Sequence, residues 1–369
     1  MIRPHIFFLW LALFCFNPQA FSQELKTNYY DEEETLVKEI YETSEGLPHG
    51  TYKRYNEEGL LFQTGQFSHG KKEGAFVDFF PGTRDTARVI FYQEDLIRGT
   101  ATSYHKNGEV AQLASYEGGK ITGKVKTFYE NGTVKSITEF KENQPHGEHV
   151  AYFENGNKKE EVHFENGLLN GPEKKYDENG QLISSMTYKN GQPEGLQTTY
   201  YPEETKASDI HYKEGVKHGK FTRYFENGQV ETEGNYRRGL ADGAFVSYYE
   251  DGQIAETAAF KRGRPIGETI SYYPDGKVRE KTRYNKKTGH PESEISFHED
   301  GSVLKEVAFR EGKAHGQTKT FYPNGQIHEI IPFYYGTPEG KYLKYDQNGE
   351  LVLERVFKKG RQIAETQHR

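Results

Sequence analysis

The sequence predicts an all-β protein, an elongated single-layer antiparallel sheet of tandem β-hairpins. Two observations carry this. A ladder of lead glycines recurs every 24 residues at Gly50, Gly74, Gly99, Gly123, Gly147, Gly171, Gly195, Gly219, Gly243, Gly267, Gly316 and Gly340, apart from one spacing of 25 and one double gap in which Glu292 takes the glycine's place. Such a period means one small unit copied end to end. Between the glycines, residues two apart share character: Val230, Thr232, Gly234 and Tyr236 alternate with Glu231, Glu233 and Asn235. Period two marks a strand with one buried face. The glycines leave no window for a helix.

Each unit reads as two strands and two turns. Five residues after the lead glycine comes a first aromatic, as in Phe128, Tyr176, Tyr224, Tyr248 and Tyr272. Four residues later a second glycine follows Asn or Asp, as in Asn131-Gly132, Asn227-Gly228 and Asp251-Gly252. These dipeptides tolerate the positive φ of tight turns and signal a hairpin. An aliphatic residue and another aromatic complete the second strand, as Val230 and Tyr236 do. A third glycine then leads into the next copy.

This pattern resembles the MORN repeat in its bacterial variant form. The resemblance rests on the aromatic, turn glycine, second aromatic and glycine-x-x-x-glycine of each copy, for example Tyr224, Gly228, Tyr236, Gly239 and Gly243, and spans roughly residues 25–363. Glu204 for a turn glycine, Glu292 for a lead glycine and the Pro81–Arg84 stretch are local departures. The resemblance implies successive hairpins in one twisted sheet. It also implies protein-binding or membrane-proximal roles and self-association, and it brings an antitoxin label borne by some bacterial variant-repeat proteins.

The ends differ from the array. Ile6–Phe16 is an apolar run after a basic Arg3, and Ala20-Phe21-Ser22 offers small residues at −3 and −1, so residues 1–22 read as a signal peptide cut near Ser22. Residues 23–49 read as an N-terminal cap or degenerate repeat, either a worn hairpin or a short helix over Leu36–Tyr41, with the hairpin preferred. Residues 50–363 hold about thirteen repeats, and 364–369 a tail.

Composition limits the function. Cys15 and Trp10 leave with the signal, so the mature chain has neither a disulfide nor a thiolate ligand. Loss of Arg3 takes the formal charge from −7 to −8, a poor balance for nucleic-acid binding. A hydrophobic content of 34% alone suggests disorder, but the 14% aromatic residues in fixed register argue for a thin repeat core.

No catalytic motif survives its context. Ser68-x-x-Lys71, Ser103-x-x-Lys106 and Ser302-x-x-Lys305 fall in turns and strands, where that spacing does not align the pair. Gly65-x-x-x-x-Gly70-Lys71 lacks both the following hydroxyl residue and the helix of a phosphate loop. His49, His146, His218 and His315 precede lead glycines. At about 10 Å per repeat they stand on the order of 30–40 Å apart, whereas metal ligands converge within about 2 Å, so they read as turn fillers. The chain is therefore expected to be non-enzymatic, without cofactor or metal.

Two surfaces remain. The second members of aromatic pairs, Tyr129, Phe153, Tyr201, Phe225, Tyr249, Tyr273 and Tyr322, lie opposite the first rings if those fill the core. They either stack along the sheet or form a face for glycan rings or protein. The hairpin tips are acidic, and the opposite turns carry Lys189, Lys213, Arg237, Arg238, Lys261, Arg262, Lys286 and Lys287. That basic edge reads either as solubilising charge or as a site for an anionic lipid or polysaccharide. The expected role is an exported scaffold or binding surface for protein or envelope partners, in periplasm, at the outer membrane or secreted.

Overall fold

The computed structural model describes residues 24–368. Their regular structure is strand throughout, except for one 3-10 turn at Pro202–Glu204. The signal-peptide reading falls outside the described residues. The chain divides along strand Val134–Lys141 into two compact units, one running to Lys135 with Glu139–Gln144, the other comprising Ser136–Thr138 and Pro145–Arg369.

In the first unit each long strand pairs antiparallel with its neighbours in sequence. The order is Glu24–Tyr29, Val37–Ser44, Leu47–Tyr55, Leu61–Ser68, Gly74–Phe79, Thr86–Gln93, Gly99–Tyr104, Val110–Glu117 and Gly123–Phe128. The N-terminal segment is thus a hairpin rather than a helix. Its loop is closed by the Asp31 carboxylate, which accepts from the Leu36 backbone N–H at 2.8 Å. The second unit follows the same rule from Gln144–Tyr152 to Arg361–Gln367, hairpin after hairpin in one layer. The last strand runs beyond residue 363: Ala364 pairs with Val356 and Gln367 with Leu353, so part of the expected tail belongs to the sheet.

The repeat at Val216–Tyr224 and Val230–Arg237 shows the construction. Gly219 faces Tyr236, Phe221 faces Gly234, and a bulge between Arg223 and Tyr224 precedes the tip. At the tip Gly228 N–H donates to the Phe225 carbonyl at 2.9 Å, and Phe225 N–H to Gln229 at 2.8 Å. This is a type I turn with a glycine bulge: Gly228 takes φ +84°, and Asn227 stays out of the left-handed region. The asparagine serves another purpose, its Oδ1 accepting from Gln229 N–H at 2.9 Å. The opposite turn has two residues, Arg238 (φ +53°) and Gly239 (φ +81°), between the paired Arg237 and Leu240. Two left-handed residues make a type I′ turn, whose twist matches the flanking strands.

The core departs from expectation. The buried ring stands three residues before the first aromatic: Tyr52, Phe76 and Phe221, with Val125 in the same place. On the second strands the buried apolar residues are Ile90, which faces Phe76, and Ala114, Val162, Met186, Ala258 and Val307, the last four facing His149, Glu173, Phe245 and Glu294. Phe76 is only 2% exposed. Edge-to-face contacts carry the core from repeat to repeat, with centroids 5.7 Å apart for Phe221–Tyr236 and Tyr236–Phe245, and 5.2 Å for Phe245–Phe260. Tyr224, expected in the core, is only half-buried. The bulge beside it ends regular alternation, so parity counted from the turn misassigns its environment.

Candidate binding surface

The paired aromatics do not leave two bare rows of rings. The first aromatic of three repeats reaches back 15 residues to a carboxylate of the preceding strand. Tyr176 donates to Glu161 at 2.7 Å, Tyr224 to Asp209 at 3.1 Å and Tyr248 to Glu233 at 3.0 Å. Burial, then the Glu161 acceptor, pushes the Tyr176 hydroxyl up to about 12.

The second ring reaches forward. Tyr201 hydroxyl donates to the Tyr224 carbonyl at 2.9 Å, Tyr249 to Tyr272 at 2.6 Å, Tyr273 to Phe297 at 2.8 Å and Tyr322 to Tyr345 at 3.0 Å. Each bond joins one hairpin tip to the next. Phe225 is half-buried at the same position, and Lys135 and Lys159 stand over the Tyr129 and Phe153 rings at 5.6 and 5.5 Å. Tyr201, Tyr249, Tyr273 and Tyr322 thus each make a bond along the sheet. Sequence reasoning missed that Tyr30, His105 and His298 belong to the series: their ring tips bond the carbonyls of Tyr55, Phe128 and Phe321. The available signal was a ring with a polar tip directly after the first aromatic. Where Asn or Asp stands there instead, as Asn56, Asp177 and Asp346 do, the side chain caps its own turn.

The residue before several lead glycines has a similar linking role. Glu194, Asp242 and Glu339 accept from the backbone N–H of Glu214, Arg262 and Lys359, each 20 residues on, at 2.8, 3.1 and 2.5 Å. His49, His146 and His315 do the same through Nδ1 for His69, Asn166 and Tyr335, each at 3.4 Å. That accounts for three of the four recurrent histidines. Among the described residues no group of three His, Cys, Asp or Glu is placed to hold a metal ion. The Ser302-x-x-Lys305 pair also faces elsewhere: Ser302 donates to Asp300 at 2.6 Å while Lys305 pairs with Glu294 at 3.3 Å.

The basic candidates are all exposed, at strand ends and turns. The structure groups only some of them. Arg237, Arg238, Lys261 and Arg262 line one groove of about 440 Å³ with Leu240 and Asp242. Lys286 and Lys287 line the neighbouring one, about 630 Å³, with Glu268, Arg283 and Glu292. Lys189 and Lys213 line neither.

A family model described as MORN repeat variant matches nine stretches, residues 98–117, 121–142, 145–166, 169–190, 217–238, 241–262, 265–286, 314–333 and 338–359, together more than half of the chain. Among solved structures, the Tc holotoxin pore of Photorhabdus luminescens matches at 10% identity over 91% of this chain and 20% of that one, with a TM-score of 0.18. The crystal structure of TcdB2-TccC3 without its hypervariable C-terminal region matches at 12% identity over 92% and 23%, with a TM-score of 0.17. The chain spans less than a quarter of the length of either. No curated protein matches the sequence.

Proposed function

This chain belongs to the MORN repeat variant family, and on that premise we propose that it is an exported, non-enzymatic scaffold that presents a binding surface to a protein or envelope partner. The observation that supports this is the forward bond from Tyr201, Tyr249, Tyr273 and Tyr322 to the next hairpin tip. It fixes four hairpin tips against their successors, so exposed side chains at equivalent positions there are held in rows. Preorganised rows reduce the ordering cost of binding a partner. The apolar run before Ser22 supports export.

Two measurements test the reading. N-terminal sequencing of the protein from the source cell's envelope or medium should find a chain that begins just after Ser22. An unprocessed chain confined to the cytosol would overturn export. Photo-crosslinking residues placed one at a time at the exposed Leu168, Val216 and Leu240 should trap the same partner in intact cells. Absence of any crosslink from all three, and from matching positions on the opposite edge, would overturn the scaffold role.

A further inference from the structure

We propose that three successive turns of the second unit, at Arg237–Leu240, Lys261–Arg264 and Asn285–His290, form a binding site for an acidic polysaccharide. The proposal deepens the reading of the chain as a binding surface by naming a ligand class for one part of it.

Charge localises the site. On a chain of net charge −7, these turns bring together Arg237, Arg238, Lys261, Arg262, Arg264, Lys286 and Lys287. The flanking turns break the run with Glu214 on one side and Glu311 on the other, each in the left-handed turn position that Arg238 and Arg262 occupy here. In turns of the first unit two cations are neutralised by the next turn: Lys71 pairs with Glu94 at 3.2 Å and Lys120 with Glu142 at 3.3 Å. Among the described residues, the side chains of Arg237, Arg238 and Arg262 have no ion pair or hydrogen bond. Lys261 has Asp242 at 3.5 Å, and that carboxylate's other oxygen is committed to the Arg262 backbone N–H. Unpaired guanidinium groups around a groove form a ready receptor for carboxylate or sulfate.

Spacing selects a polymer. Successive repeats lie about 10 Å apart, so the three turns present cations over roughly 20 Å, more than a single small anion spans. Arg264 Nη1 donates to the Lys287 carbonyl at 3.3 Å and ties the second turn to the third. The row also contains Asp242, Glu268 and Glu292. Acceptors interleaved with arginines suit a chain that carries both hydroxyls and acidic groups, since hydroxyls donate to carboxylates and acidic groups accept from arginine.

The same details disfavour a membrane. Binding in the bilayer interface needs apolar side chains to insert. Among the described residues, Leu240 is the one large hydrophobic side chain exposed in these three turns, and Arg264 takes the corresponding place one repeat on.

The test uses the full chain and immobilised polygalacturonate. Binding should weaken with added salt. Combining Arg237→Gln, Arg238→Gln and Arg262→Gln should weaken it at least tenfold with the circular dichroism spectrum unchanged. A control removing equal charge elsewhere, Lys358→Gln with Lys359→Gln and Arg361→Gln, should change it less than twofold. Parallel arms use inorganic phosphate and vesicles containing phosphatidylglycerol. No binding of the unaltered chain to polygalacturonate, equal loss in the control, or tighter binding to the vesicles would each overturn the proposal. Intact crosslinking at Leu168 with no polysaccharide binding would remove this site and leave the scaffold role standing.

Discussion

The Phe245 ring lies directly on Gly234. A Cβ added to Gly234 would stand 2.4 Å from Phe245 Cδ1, and one on Gly65 would stand 2.5 Å from the equivalent Phe76. Gly234 has no positive φ, so space alone requires glycine there. An aromatic at this core position and a glycine eleven residues earlier form one packing unit.

Gly234→Ala should therefore destabilise the chain by about 1–3 kcal/mol, the usual range for overpacking. Adding Phe245→Leu should recover part of the loss, because the two side chains share one volume. Urea midpoints of the two single variants and the double variant measure it, and strict additivity would show that the ring does not rest on Gly234.

Phe221 is buried while Tyr224 is half-buried, so their truncations should differ. Phe221→Ala should cost about 3–5 kcal/mol, as for a buried large aromatic. Tyr249→Phe, which removes only the forward bond to Tyr272, should cost about 1 kcal/mol. Hydrogen exchange should place the loss of protection in the adjoining hairpins, since coupling in repeat arrays is nearest-neighbour.

Glu203 and Glu204 take φ +73° and +63° at the tip where a glycine is missing. A left-handed conformation costs an L-residue roughly 1–2 kcal/mol. Glu204→Gly should stabilise the protein by about 1 kcal/mol, after allowance for the greater freedom of glycine in the unfolded chain. An unchanged or lowered urea midpoint would mean the tip carries no such strain.

His149 gives the array an acid-sensitive point. Burial holds its imidazole below the ordinary value of about 6.5, and Nδ1 lies 2.7 Å from Thr138 Oγ1. Between the depressed folded value and the ordinary one, the unfolded chain binds more protons. This contribution to stability is therefore present above about pH 6.5 and declines as pH falls through the interval below it. The drop in urea midpoint between pH 7.5 and 5.5 should be smaller for His149→Leu than for the unaltered chain. An equal drop would rule out His149 as the source.

The loop Asn285–His290 absorbs the one-residue insertion. Gly289 N–H donates to the Asn285 carbonyl at 2.8 Å, and Lys286 and Lys287 are exposed. Limited trypsin digestion should cut here before Arg237-Arg238, whose two-residue turn sits between paired strands. Early cleavage at Arg237-Arg238 with this loop intact would reverse the ranking.

Some of the binding surface was legible before folding. Every basic candidate is exposed at a turn or strand end, because turn residues are specified locally by glycine spacing and strand length. The grouping of Arg237, Arg238, Lys261 and Arg262 was not legible, since it depends on which cations the neighbouring turns neutralise. Asp242 answers Lys261, whereas nothing answers Arg238. The aromatic pairs were legible as a series but not in their role. A tyrosine bonding a carbonyl 23 residues on, as Tyr201 does to Tyr224, requires two hairpins to be stacked.

The sequence by itself determined the strands, the two turns of each repeat and their order, because period-two patterning and glycine placement act within a single hairpin. It also determined family membership, through repetition of the same five positions. Only the tertiary structure decided which ring of each repeat is buried, what the recurrent histidines and tyrosines bond, and where positive charge stays unpaired. Those properties arise between hairpins. The bulge beside each tip and the stacking of one repeat on the next set which side chains meet, at separations of 15 to 24 residues that cross from one hairpin strand to the next.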